Sequence, residues 1–157
     1  MNSSNDTVRL GGLELLRAII EGRIPQPPMS HTLGFRLVSA EPGTAVFEGE
    51  TGEYLYNPMG TVHGGYFATL LDSALGCAVL SRLPAGTGYT TAQLNVNLIR
   101  PATAATGKLR AIGTSIHVGR TIGIAEAQLI GIEDGKLYAH ATTTCAIFPA
   151  AADAASS

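Results

Sequence analysis

The residues of this chain best suited to chemistry on a carbonyl carbon fall in one short stretch. They are Asn57, the run His63-Gly64-Gly65, and Asp72. Two adjacent glycines disfavour a helix interior but let the backbone pass close to another group. At the first turn of a helix their N–H groups lack an intrahelical acceptor and lie at the positive end of the dipole. Gly64 could therefore polarise a carbonyl oxygen that gains negative charge, or the pair could simply relieve a tight loop-to-helix junction. Asp72 is the single charge in an otherwise apolar run to Leu80. An unpaired carboxylate in a buried helix costs several kcal/mol, so Asp72 either activates a nucleophile or serves a structural pair or cap. Asn57 precedes Pro58 and is held extended or in a turn. Its amide could hold a carbonyl or a water, or close an Asx-turn. His63 is assigned a supporting role, since a histidine at a helix start can cap it as well as act as an acid or base.

Gly64 and Asp72 are eight residues apart, which is ~12 Å along one helix. Both cannot reach one carbonyl carbon from the same chain. If the helix pairs antiparallel with its own copy about a two-fold axis, Gly64 of one subunit approaches Asp72 of the other. The spacing thus predicts two equivalent sites at a dimer interface.

The elements that must position these groups follow from periodicity and turn signals. Leu13, Leu16, Ile19 and Ile20 predict a short amphipathic helix ending at Gly22. Pro25-Gln26-Pro27-Pro28 then predicts an extended connector. Residues 33–41 and 43–50 read as a hairpin about Pro42-Gly43. Residues 64–81, rich in Ala and Leu and free of Pro, predict a helix buried on nearly every face. Four β-rich runs at 89–99, 107–117, 121–132 and 137–148 predict an antiparallel meander, with Asp134-Gly135 as a hairpin signal. The fold class is α+β: a curved antiparallel sheet around a long central helix, with an extra N-terminal helix. The expected organisation is a tail, helix and connector over 1–30, one domain over 31–149, and an Ala/Ser tail over 150–157.

Composition narrows the function classes. Of 157 residues, 45% are hydrophobic and only 14% charged, which suggests surface hidden in an oligomer. A net charge of -2 and the absence of Lys/Arg runs speak against nucleic acid as a partner. No apolar run reaches membrane-span length, and the N-terminus lacks the pattern of a leader. Cys77 and Cys145 read as small buried hydrophobes in a reducing compartment. A cytoplasmic protein is expected, with no metal or cofactor.

Asn57, His63-Gly64-Gly65 and Asp72, followed by TTAQLNVNLIRPA at 90–102, resemble the hotdog-fold acyl-CoA thioesterases, specifically the PaaI-like subgroup. The similarity spans residues 31–149. It implies an acyl-CoA substrate, with coenzyme A as part of the substrate, and active sites between two subunits of a homodimer that itself pairs into a tetramer. By the same resemblance, Asp72 would be general base or nucleophile. The Gly64 amide would polarise the thioester carbonyl, with Gly65 beside it, and Asn57 would orient water or carbonyl. Thr91, or Thr90, would assist from the strand after the helix. The coenzyme A pyrophosphate is expected at the turn Gly119-Arg120-Thr121, with Arg100 as a second candidate. The alternatives are a hotdog hydratase or dehydratase using His63 and Asp72, and a non-catalytic acyl-CoA-binding module.

Overall fold

The computed structural model describes Thr7 and residues 9–150. The remaining polar N-terminal residues and the tail from 151 lie outside the described residues. In chain order the elements are α1 (Gly12–Ile20), α2 (Pro28–Leu33), β1 (Phe35–Glu41), β2 (Thr44–Glu50), a 3-10 turn (Glu53–Leu55), α3 (Gly64–Leu80) and β3 (Thr87–Leu98). A second 3-10 turn (Ala104–Thr106), β4 (Lys108–Val118), β5 (Ile122–Gly131) and β6 (Leu137–Pro149) follow. The six strands form one antiparallel sheet in the order β1-β2-β4-β5-β6-β3. It wraps α3, giving the hotdog architecture.

Burial alternates strictly along β5, with Gly123, Ala125, Ala127 and Leu129 facing inward. Against that face α3 buries Leu70, Leu71, Ala74, Leu75, Ala78 and Val79 completely. Each fully buried leucine contributes roughly 1.5–3 kcal/mol of transfer free energy, so the helix–sheet contact dominates the core. Close approach has a backbone requirement. A Cβ at Gly113 of β4 would stand 2.2 Å from the Ala74 carbonyl oxygen, so only glycine lets helix and strand meet there. α1 docks on the far end of α3, its Gly12 N–H donating to Leu83 O at 2.9 Å.

Three details differ from the sequence reading. Residues 28–33 are helical rather than part of a plain connector. Pro28 occupies the first turn, where its missing N–H costs nothing, and Gly34 closes the helix in the left-handed region at φ 70°. The prolines that end one helix thus begin another. Second, only β4-β5-β6 form a meander. α3 crosses the sheet before β3 begins, so β3 joins the far edge beside β6, and residues 99–107 return the chain to β2. Third, α3 is not covered all round. Gly65 is exposed, and Ala68, Thr69, Asp72, Ser73, Cys77 and Leu80 are half-buried, a stripe at helical spacing along one face.

The two sheet edges are treated differently. On β1 the Gln26 amide mimics a partner strand, with Oε1 accepting from Leu37 N–H at 3.1 Å and Nε2 donating to Leu37 O at 3.2 Å. β3, twelve residues long, forms the opposite edge. A long open edge of this kind invites pairing with another strand.

Candidate active site

The entrance to α3 is fixed from both sides. His63 N–H donates to Leu55 O and Val62 N–H to Ala102 O, each at 2.8 Å. The His63 ring is the helix N-cap, its Nδ1 accepting from Gly65 N–H at 2.8 Å. The histidine therefore acts on the helix end, and the Gly65 amide is already engaged. The Gly64 N–H forms no hydrogen bond among the described residues, and Gly64 packs beside Leu98 of β3. A Cβ there would stand 2.6 Å from Leu98 Cδ1.

Two turns along, Asp72 lies on the half-buried stripe of α3. Thr91 Oγ1 donates to Asp72 Oδ1 at 2.8 Å. This bond joins helix and edge strand, fixes one carboxylate oxygen, and leaves Oδ2 without a partner among the described residues. Thr90 is exposed, on the opposite face of β3 by strand alternation, so Thr91 is the residue brought to the carboxylate. Cys77, one turn on from Ser73 in the same stripe, meets Tyr89. Burial pushes its thiol up to about 12, partly offset by the Tyr89 hydroxyl, and the Asp72 charge adds to the rise. Burial likewise holds the Tyr89 hydroxyl well above its ordinary range, and the Cys145 thiol above its own. The surroundings of Asp72 thus keep neighbouring acids protonated. Cys77 belongs to this partly open face rather than to the core, whereas Cys145 is fully buried.

Asn57 is absorbed by its own loop. Its Oδ1 accepts from Met59 N–H at 2.9 Å and Thr61 N–H at 3.3 Å, while Nδ2 donates to Thr61 Oγ1 at 3.0 Å. It shapes the loop leading to His63.

The two arginine candidates are far apart in one chain. Arg120 is exposed at the β4–β5 turn, where Gly119 N–H donates to Ile122 O and Thr121 O accepts from Ile147 N–H. Arg100 follows β3 at the other end of the sheet, and its charge reaches Asp134 and Tyr138. That is also the end occupied by Gly64.

A pocket of about 310 Å³ opens at the N-terminus of α3, walled by Leu33, Tyr54, Tyr56, His63, Tyr66 and Thr69. The sequence reading did not pick these residues. One signal was available, since three of the five tyrosines (54, 56 and 66) flank His63-Gly64-Gly65. Tyr56 is anchored by accepting from Ala104 N–H at 2.8 Å. Tyr66 is 4% exposed, and its hydroxyl is buried without a hydrogen-bond partner among the described residues. No group of three or more His, Cys, Asp or Glu among the described residues is arranged to hold a metal ion. No described helix is long and apolar enough to cross a membrane.

Comparison with known proteins converges on one family. Residues 59–138 match the thioesterase superfamily profile. The chain is 30% identical over 133 residues to human acyl-coenzyme A thioesterase 13, covering 82% of this chain and 91% of that protein. A 73-residue stretch is 44% identical to a protein of Halobacterium salinarum described as an esterase, covering 45% of this chain and 46% of that one. Among solved structures, a phenylacetic acid degradation-related thioesterase from Ralstonia eutropha superposes with a TM-score of 0.74 at 30% identity. That match covers 83% of this chain and 98% of the other.

Proposed function

Because this chain belongs to the thioesterase superfamily, we propose that it hydrolyses acyl-CoA thioesters to a free acid and coenzyme A at sites shared by two protomers. The observation that carries the reading is the Thr91–Asp72 hydrogen bond on the uncovered stripe of α3. A carboxylate held by one oxygen, with the other free and an open strand edge beside it, suits the activation of a water or direct attack on a carbonyl. A thioester needs little more, because its thiolate leaves without strong acid assistance.

The second half of the site is the Gly64 N–H, which would stabilise the oxyanion. It stands ~12 Å along α3 from Asp72, so it must serve the partner's carboxylate. Edge pairing of β3 with its own copy, antiparallel about a two-fold axis at Asn95, provides this. Because the bulge between Thr91 and Gln93 takes Ala92 out of the register, Leu98, which packs beside Gly64, would then lie opposite the partner subunit's Thr91, next to the partner's Asp72. The same operation carries the partner's Arg120 to the end of the sheet that holds Arg100. The β5 strand that follows the Arg120 turn is two strands from β3, or ~10 Å across the sheet. Both arginines can thus face one extended coenzyme A, whose phosphates an arginine recognises through paired N–H donors. The acyl group would enter the tyrosine-lined pocket at the helix start. Such dimers could pair into a tetramer.

The test is a thiol-release screen over aryl, short-chain and long-chain acyl-CoAs, with Asp72→Asn beside the wild type. Release by the wild type and its loss in a folded, dimeric Asp72→Asn protein is expected. A folded Asp72→Asn variant with full turnover would refute the role of the aspartate. A wild type that releases no thiol from any substrate would refute hydrolysis.

A further inference from the structure

Two cavities lie close to one tyrosine, Tyr54, which lines the first and meets Gly34 and Glu50 in the wall of the second. The first is the pocket at the start of α3, about 310 Å³. The second, about 530 Å³, lies between α2 and the ends of β1, β2 and β4, with Gln26, His31, Arg36, Glu50 and Lys108 in its walls. Leu33 lines the first, and the next residue, Gly34, lines the second. The Tyr54 hydroxyl stands over this boundary, 3.4 Å from Leu33 O and 3.4 Å from Glu50 O. A Cβ on Gly34 would lie 2.7 Å from that hydroxyl. Tyr66 closes the partition on its inner side, with its hydroxyl against Gly49, which lines the second cavity.

Tyr54 is held only loosely. An O–H···O bond is usually 2.5–3.0 Å long, so a single hydroxyl shared between two carbonyls at 3.4 Å is a weak latch. The side chain is also 65% exposed. It rests on Gly52, where a Cβ would stand 2.6 Å from its Cε1. On its outer side the partition is therefore one loosely held aromatic ring, with the buried Tyr66 behind it.

Taking the first cavity as the acyl pocket of the proposed thioesterase, we infer that Tyr54 sets the acyl-length limit by closing that pocket against the second cavity. The wild type is then selective for compact acyl groups, linear or aromatic, that end at the ring. Removing the ring joins the two cavities, and longer acyl chains continue into the space behind. Each further buried methylene is worth about fourfold in kcat/KM. Two methylenes past the barrier correspond to a change of about 15-fold on the same basis.

The experiment compares wild type, Tyr54→Ala and Tyr54→Phe on a homologous series of straight-chain acyl-CoAs, read as kcat/KM against chain length. For Tyr54→Ala, the ratio between the chain two methylenes beyond the wild-type optimum and the optimum itself should rise about 15-fold. Tyr54→Phe retains the ring and should retain the limit. Leu33→Ala opens the same wall from α2 and should shift the profile in the same direction, which keeps the test decisive if Tyr54→Ala misfolds. Hydrolysis with an unchanged length profile in both opened variants overturns this inference alone. A wild type that hydrolyses no member of any acyl-CoA class overturns the functional reading, and this inference with it.

Discussion

Thr91→Val isolates the contact on which the proposed chemistry depends. Valine has the shape of threonine and favours strands, so the substitution removes a hydroxyl with little change in packing. What is lost is one hydrogen bond to a carboxylate, 2.8 Å long and partly buried. Bonds to charged groups are worth about 1.5–3 kcal/mol. Partial exposure favours the lower half of that range. If the bond positions Asp72 for attack, the loss falls on the transition state, and kcat should drop about 10- to 50-fold at 1.36 kcal/mol per decade. KM should change little, because the hydroxyl faces the carboxylate and not coenzyme A. Thr91→Ser, which keeps the donor, should retain most of the rate. Steady-state thiol release over the cycle of wild type, Thr91→Val, Asp72→Asn and the double variant gives the coupling. In the Asp72→Asn background the valine should cost less than about twofold, since residues acting as a unit are non-additive. An equal loss in both backgrounds would mean that Thr91 acts on the substrate directly, and full activity of Thr91→Val would mean that the bond is incidental. Either result refutes the reasoning.

Tyr66→Phe should stabilise the fold, because it removes a buried hydroxyl that has no partner among the described residues. An unsatisfied buried group costs about 1–3 kcal/mol, so thermal unfolding should rise by about 3–9 °C for a chain of this size; a fall would show that the hydroxyl has a partner in the assembly. Stability should also decline at alkaline pH. The folded Cys77 thiol titrates at about 12, against an ordinary value of 9.0. The unfolded chain therefore loses this proton first, so the contribution is fully present below pH ~9 and is lost by pH ~12, at up to about 1.4 kcal/mol per unit. Cys77→Ala should flatten that part of a pH–Tm series, and an unchanged slope would exclude the thiol as its source.

A curved sheet around one long helix was legible from the sequence, because hydrophobic period and turn residues are local properties. The apolar run of 64–81, the Pro42-Gly43 turn and the alternation in β5 each follow from neighbours in the chain. So did the candidate carboxylate, since a lone charge in an apolar helix stands out wherever the helix packs. The proposal of a site spanning two chains likewise comes from the spacing of Gly64 and Asp72, which is arithmetic on helical rise. Other features depended on contacts between distant segments. Pro28 reads equally well as the end of a connector or the first turn of a helix, and Gly34 with β1 decided between them. Strand order was not written in the meander-like pattern, because the crossing of α3 sends β3 to the far edge. Thr91 rather than Thr90 reaches Asp72 because of the register of β3 on β6, and a shift of one residue would have reversed the two. The His63 ring turned to its own helix, and Asn57 to its own loop, because a nearby backbone N–H satisfies such side chains at little entropic cost. Only the folded chain brought Leu33 of α2, Tyr54 of the 3-10 turn and Tyr66 of α3 to one cavity. Three segments that far apart in sequence meet by packing, and packing is what a linear reading does not contain.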